Sequence, residues 1–195
     1  MEIDTPKKVK YIMLSIDKIL KLGEVTSTQT LAKQIAPLFP KENILLKATS
    51  QTEGKGQYDR VWSSKNGGLY FTLILRPKKQ ADLKLLPYQA GKALAKTLEE
   101  NYGITTQIKL PNDVLAFHNN TFKKIAGILI ETQTTEDNLN LLLIGVGVNV
   151  NNVLPADLNA VSLKQIKKSA QSVDALLENF LKEFAEEYLL WQNSI

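Results

Sequence analysis

The stretch from Gln51 to Pro77, QTEGKGQYDRVWSSKNGGLYFTLILRP, constrains this chain more than any other. It begins as a polar loop in which Gly54 and Gly56 bracket Lys55, with Arg60 and Trp62 just beyond. The turn Asn66-Gly67-Gly68 then leads into an unbroken apolar run, Leu69 to Leu75, which reads as a strand. Ile44 to Ala48 is a short apolar strand feeding the loop from the other side. A glycine loop with Lys, Arg and Trp suits an anionic, ring-bearing ligand. The stretch also holds both arginines, Arg60 and Arg76, although lysine and arginine together number 24. Guanidinium offers a planar fork for phosphate or carboxylate that ammonium cannot copy. Backbone N–H groups at glycines can approach an anion, and an indole can stack on a ring. A solvated basic hairpin would have the same composition, and at this point both readings stand.

Length and composition narrow the rest. A chain of 195 residues suits one domain with a real core. The absence of cysteine excludes disulfides, a thiol nucleophile and thiolate metal sites, and fits a reducing cytosol, so the expected location is cytoplasmic. No apolar run is long enough to span a bilayer, and the charged start MEIDTPKKVK lacks the apolar core of a signal peptide. The net charge of +4 comes from scattered lysines, which reads as a solvated surface rather than a nucleic-acid stripe. A Ser-His-Asp triad would depend on His118, the only histidine, which lies in the polar loop HNNT.

The remaining pattern alternates strands and helices. Val9 to Ile16 and Ile19 to Val25 read as strands or one bent strand. Thr26-Ser27-Thr28 offers hydroxyl caps for a helix from Gln29 to about Ala36, and capping alone would account for Ser27 and Thr28. Pro87 to Tyr102 is a helix stopped by Gly103. Thr106 to Leu110 is a strand ending at Pro111-Asn112-Asp113, where Asp113 is either a turn-forming side chain or a carboxylate aimed at a metal or hydroxyl. Val114 to Phe117 and Ile125 to Glu131 are further strands, the second with Gly127 inside it. In Leu139 to Val150 the valines fall on one face and Gly145, Gly147 and Asn149 on the other. That bare face suits a flat ligand, or a close-packed helix that would leave Asn149 unexplained. A short helix over Ser162 to Lys168 and an amphipathic one from Val173 to Trp191 close the chain.

Four stretches share one order with a known family. EVTSTQTLAK, the Gln51–Pro77 stretch, IKLPNDVL followed by KKIAGILIE, and LLIGVGVNVN together resemble biotin protein ligases, over most of Gly23 to Asn151. The resemblance implies an α/β fold of the class II synthetase-like kind: a mixed, largely antiparallel sheet with helices packed on one side. It implies one catalytic domain over residues 1–195. It also implies that biotin and Mg-ATP give biotinyl-5′-AMP, and that a lysine of a biotin carboxyl carrier domain then takes the biotin. Neither DNA nor a membrane is an expected partner, because only Met1 to Gly23 precede the first motif, too short for a helix-turn-helix module. The small C-terminal β-barrel domain of many members is expected to be absent, the chain being either a minimal ligase or part of a longer one. The resemblance leaves a homodimer open.

The resemblance also implies roles for residues. Ser27, Thr28 and Gln51 match positions that hold the polar atoms of the biotin rings, and Gly54, Gly127 and Gly145 match backbone positions close to biotin. Lys55 and Arg60 belong to a loop that folds over the intermediate and meets its phosphate, and Trp62 matches a tryptophan associated with the adenylate. Asn112 and Asp113 match the Asn-Asp motif near the ATP phosphates, where Asp113 is also the candidate Mg²⁺ ligand. Lys124 matches the lysine between the biotin carboxylate and the phosphate; without the neighbouring IAGIL it would read as a surface lysine. Asn149 matches a nucleotide-side residue. Lys124, Asp113 and Arg60 are the expected catalytic set. The family's Ser-Thr-Asn is Ser27-Thr28-Gln29 here, its Lys-Trp-Pro-Asn-Asp has Leu110, and its arginine-rich glycine loop carries Gln57 and Asp59. A lid with fewer cations is expected to close less firmly. A lipoate-attaching enzyme of the same architecture and a non-catalytic biotin or adenylate sensor are the alternatives.

Overall fold

The computed structural model describes residues 9–11, 14–77, 82–135 and 138–194. Its strands in chain order are β1 (Val9–Tyr11), β2 (Leu14–Ile16), β3 (Lys18–Val25), β4 (Ile44–Gln51), β5 (Leu69–Leu75), β6 (Thr106–Lys109), β7 (Asp113–His118), β8 (Thr121–Thr135) and β9 (Asn138–Val148). The helices are α1 (Thr28–Ile35), α2 (Leu86–Tyr102), α3 (Leu163–Lys167) and α4 (Val173–Asn193). Strands β3 to β9 make a seven-stranded sheet in the order β3-β4-β5-β9-β8-β7-β6, while β1 and β2 form a separate hairpin. Only β3 and β4 run parallel; the other neighbours of the large sheet are antiparallel. This is the mixed, largely antiparallel sheet that was expected.

The two long helices lie on one face. Alternation along β5 and β9 sends Phe71, Leu73, Ile144, Val146 and Val148 to that side, where Leu94, Leu98, Phe180 and Phe184 bury them. Val150 joins the same core, so the valine face read from the sequence is the packed face. Helix α1 is on the opposite face. There Ala32 and Ala36 pack with Ile44, Leu46, Ile74, Leu141 and Leu143, the complementary residues of β4, β5 and β9. It covers one end of that face only. Past it, the side-chain-free Gly145, Gly147 and Gly127 form the floor of the site.

Several boundaries differ from the sequence reading. Strand β4 continues to Gln51 because its parallel partner β3 carries the register from Lys18↔Ile44 to Val25↔Gln51. Strand β8 starts at Thr121, not Ile125, because a tight turn at Asn119-Asn120, both with positive φ, closes a hairpin with β7. Asp113 is the first residue of β7, opposite Gly127, rather than a residue in a break. Part of the expected Val9–Ile16 strand, residues 12–13, lies outside the described residues. Arg76 does not join an anion site: its Nη2 donates to the carbonyls of Ala36 (2.7 Å) and Phe39 (3.0 Å), closing the end of the α1 segment. A further bond, from Arg76 N–H to Asn43 Oδ1 at 2.9 Å, ties the same corner.

Candidate active site

The glycine loop is a small folded unit. Lys55 and Val61 form one isolated bridge and Gln51 and Ser64 another, with Trp62 N–H donating to Gly54 O at 2.8 Å and Gly56 N–H to Arg60 O at 2.7 Å. Gly54 lies behind this turn: a Cβ there would collide with Trp62 O and stand 2.5 Å from Ser64 Oγ. Its glycine is required for the loop to close on itself. The far end of the loop is pinned by buried Tyr70, whose hydroxyl donates to Lys65 O at 2.7 Å. Burial pushes the Tyr70 hydroxyl above its usual pKa range, so it stays a donor.

Folding the loop back lays Trp62 on the glycine floor. A Cβ on Gly147 would be 2.5 Å from Trp62 Nε1, and one on Gly127 3.1 Å from the indole ring. Because Gly127 and Gly147 are directly paired across β8 and β9, any side chain on either would lift the indole away. Trp62 Nε1 is buried and has no hydrogen-bond partner. The bare face foreseen from the sequence is therefore covered, at Gly147 by Trp62 and at Gly145 by Gln29, whose amide would be 2.6 Å from a Cβ.

Lys124 stands beside the indole. Its Nζ is 2.7 Å from Asp113 Oδ1 and 5.2 Å from the centroid of a Trp62 ring. Neighbouring strands deliver this pair, since β7 starts at Asp113 and β8 passes Lys124 next to it. Asn112 locks the start of β7 to β8: its Nδ2 donates to Ile128 O at 2.9 Å and its carbonyl accepts from Ile128 N–H at 3.0 Å. On the other side, Lys124 N–H donates to Asn159 O and its carbonyl accepts from Val161 N–H, so the 151–162 connection is stitched to this residue.

Two clefts adjoin at Lys124. The first is walled by Ser27, Thr28, Gln51, Trp62, Gly127 and Gly145, with Lys55, Gln57 and Arg60 along its rim and Asn112, Asp113 and Lys124 at its end. The second lies beyond Trp62 and Lys124 and is lined by Asn149, Leu154, Leu158 and Ala160. Of the residues that the resemblance assigned to biotin or nucleotide, all but Gly54 and Asn149 line the first cleft, and Asn149 lines the second. Ser27 also caps α1 through a 3.4 Å bond from Thr30 N–H. His118 is at the far end of β7, about 17 Å from Asp113 at the usual strand rise. Burial, with Lys168 and Lys123 nearby, lowers its pKa.

The sequence reading missed several residues here. Thr72 and Ser64 extend a hydrogen-bond chain from Thr28 and Gln51. Asn152 donates from Nδ2 to Asn149 Oδ1 at 3.2 Å while its own Oδ1 accepts from Val150 N–H at 3.0 Å. With its oxygen occupied, Asn149 has its N–H₂ left for the second cleft. The run of asparagines at 149, 151 and 152 was the available signal.

A family model for biotin/lipoate A/B protein ligases matches residues 22–149, which takes in α1, the glycine loop, the whole lining of the first cleft and β9. The chain belongs to that family. The bifunctional ligase/repressor BirA of Bacillus subtilis is 36% identical over 174 residues, covering 84% of this chain and 51% of the relative. The chain thus spans about half the length of that protein. A biotin--[acetyl-CoA-carboxylase] ligase of Paracoccus denitrificans is 31% identical over 180 residues, covering 88% of this chain and 71% of its own. The solved biotin protein ligase from Aquifex aeolicus in complex with biotin and ATP superposes with a TM-score of 0.75 at 32% identity, covering 89% of this chain and 71% of that one. Helices α3 and α4 follow the matched region, yet Leu163, Phe180 and Phe184 complete the core beneath it.

Proposed function

We propose that the chain is the catalytic unit of a biotin protein ligase: it joins biotin to AMP at the expense of ATP, then transfers biotin to a lysine of a carrier domain. The observation that carries this reading is that Lys124 walls both clefts. A carboxylate reaching in from the first cleft, the ring cleft in which the biotin rings would lie, and an α-phosphate from the second cleft would meet at one ammonium. In the first step a carboxylate oxygen bonds to the α-phosphorus, and the bond to the bridging oxygen breaks as pyrophosphate leaves with the electron pair. Lys124 draws the two anions together, and Asp113 keeps the ammonium in place. Arg60 and Lys55, on the rim, add positive charge over the phosphate. In the second step the carrier amine bonds to the acyl carbon, AMP departs with the electrons of the anhydride bond, and the amine loses a proton to water.

The name of the Aquifex neighbour supports biotin and ATP as ligands, and that of the Paracoccus relative supports a biotin-accepting carboxylase domain as partner. Magnesium fits the nucleotide end. Asp113, at the end of the first cleft beside Lys124 where the phosphate would arrive, supplies a carboxylate, and this ion keeps several waters and takes its other ligands from phosphate. When bound it would neutralise phosphate charge. Among the described residues no three His, Cys, Asp or Glu side chains cluster, so a fully protein-built metal cage is not what this site offers.

The test is exchange of labelled pyrophosphate into ATP, run with biotin and with lipoate. Exchange that requires biotin is the expected result. Exchange with lipoate alone would move the assignment to lipoate attachment, and exchange with neither would leave a binding protein.

The lid supplies a second prediction. Gln57 is half-buried on the cleft rim and brings no charge where the family loop carries arginine. A hydrogen bond to a charged group adds roughly 1.5–3 kcal/mol. Gln57→Arg is therefore expected to slow dissociation of biotinyl-AMP by roughly tenfold or more and to reduce labelling of bystander lysines. Equal dissociation rates would show that another side chain already fills the role.

A further inference from the structure

Asparagines stand at 149, 151 and 152, just past the glycine face of β9, and their amides are used differently. Asn151 is spent on the chain itself: its Nδ2 donates to Gln171 O and its Oδ1 accepts from Gln171 N–H, both at 2.8 Å. Asn149 lines the second cleft. Asn152 walls neither cleft, yet it is 4% exposed, and its amide lies between Val150 N–H and the Asn149 side chain. The backbone here is pinned. Asn149 N–H donates to Ile125 O at 2.8 Å, Leu163 N–H to Asn149 O at 3.0 Å, and Asn151 N–H to Gly67 O at 2.8 Å. The turn at Gly67 packs so closely that a Cβ there would be 3.0 Å from Asn152 N.

The two ends of an asparagine amide are told apart by their hydrogen bonds, and here the assignment starts from an atom that has no choice. A backbone N–H only donates. That of Val150 is 3.0 Å from one end of the Asn152 amide, which is therefore the oxygen. The other end is the N–H₂. It stands 3.2 Å from one end of the Asn149 amide, which must accept and is therefore the Asn149 oxygen. What remains of Asn149 is its own N–H₂. That group has no partner among the described residues and is not sealed from solvent, so it opens on the second cleft. One backbone N–H thus sets the polarity of the cleft wall through two amides. Neither amide can turn alone without setting donor against donor or acceptor against acceptor.

We infer that Asn152 is a positioning residue for the nucleotide: it touches no ligand, and it holds Asn149 with the N–H₂ toward the second cleft, where that group donates to an acceptor atom of the nucleotide. The inference rests on the proposed nucleotide in that cleft. With the Asn152 donor removed, Asn149 is free to turn and to present its oxygen, which would meet the nucleotide's acceptor lone pair to lone pair. Asn152→Asp goes further than loosening the arrangement. One carboxylate oxygen still accepts from Val150 N–H, but the other cannot donate. Asn149 must then give its own N–H₂ to position 152, and its oxygen turns to the cleft. Exchanging one N–H₂ for an oxygen reverses the wall.

The experiment measures KM for ATP and, at saturating ATP, KM for biotin by pyrophosphate exchange. It uses the wild type, Asn152→Asp, Asn149→Ala and the double variant, with Asn152→Leu as an uncharged second change should aspartate impair folding. Asn152→Asp is expected to raise KM for ATP about 10- to 100-fold while KM for biotin stays within a few-fold. In the Asn149→Ala background the same change should add little, because the amide it acts through is gone. Asn152→Leu releases that amide rather than reversing it, so a smaller rise in KM for ATP is expected, again absent in the Asn149→Ala background. A merely structural role, or repulsion between a new carboxylate and the phosphates, would raise KM for ATP equally in both backgrounds. That result overturns the inference, and so does an unchanged KM for ATP in a folded Asn152 variant. Failure of the wild type to exchange with biotin would instead overturn the proposed function.

Discussion

Lys124→Ala is expected to abolish most adenylate formation while leaving the fold in place. Removing one preorganised donor that meets charge developing in a transition state costs about 2.7–4 kcal/mol, or roughly 10²–10³ in rate. In the proposed mechanism Lys124 holds that position: it lines both clefts, and its side chain is 34% exposed, so it is not part of the core. Its backbone bonds to Asn159 and Val161 survive the substitution, so the 151–162 connection stays attached. What is lost structurally is the partner of Asp113, whose side chain is 21% exposed and can be rehydrated. Pyrophosphate exchange should therefore fall by two to three orders of magnitude with little change in the urea midpoint. Near-normal exchange would remove Lys124 from the mechanism. Lys124→Arg gives a sharper reading, because it keeps the charge but replaces a compact ammonium with a planar fork. Partial recovery would point to charge as the main contribution, and none to the position of the ammonium.

Most of the sheet was legible because burial enforces a period of two. In Gly145 to Val150 the valines had to face a core, and they do. The clustering of Thr28, Gln51, Asp113, Lys124 and Gly145 was legible only through family motifs, since nothing local says that β7, β8 and β9 are neighbours. What escaped was of two kinds. Boundaries shifted where a partner strand extended the pairing, as at Gln51 opposite Val25, which is a tertiary effect. The polar chain through Thr72 escaped because a threonine in an apolar strand looks like any β-branched residue. It becomes chemically distinct only when α1 places Thr28 and Gln29 above it. Arg76 misled in the opposite direction: a rare guanidinium suggested an anion, and its hydrogen bonds go to helix-end carbonyls.

Phe180→Ala is expected to be the most destabilising of the changes considered. The ring is fully buried on α4, between Phe71 of β5 at 5.5 Å and Phe184 at 5.5 Å, the latter nearly parallel at 13°. Phe184 continues to Tyr188 and Trp191, so one ladder of rings binds the last helix to the sheet. Truncating a buried Phe costs about 3–5 kcal/mol, the lost transfer energy plus the cavity left behind. That is a large part of the roughly 5–15 kcal/mol that holds a domain of ordinary stability. Phe71 also lines the ring cleft, so the cavity opens directly beneath the site. The site's polar contacts lie on the other face, however, and do not pass through Phe180. The expected result is a large drop in the urea midpoint with exchange per folded molecule within a few-fold of wild type. Leu190→Ala, on the same helix but 55% exposed, is the control and should shift the midpoint little. A loss below about 1 kcal/mol at Phe180 would mean that the helix is not held to the sheet through this ladder.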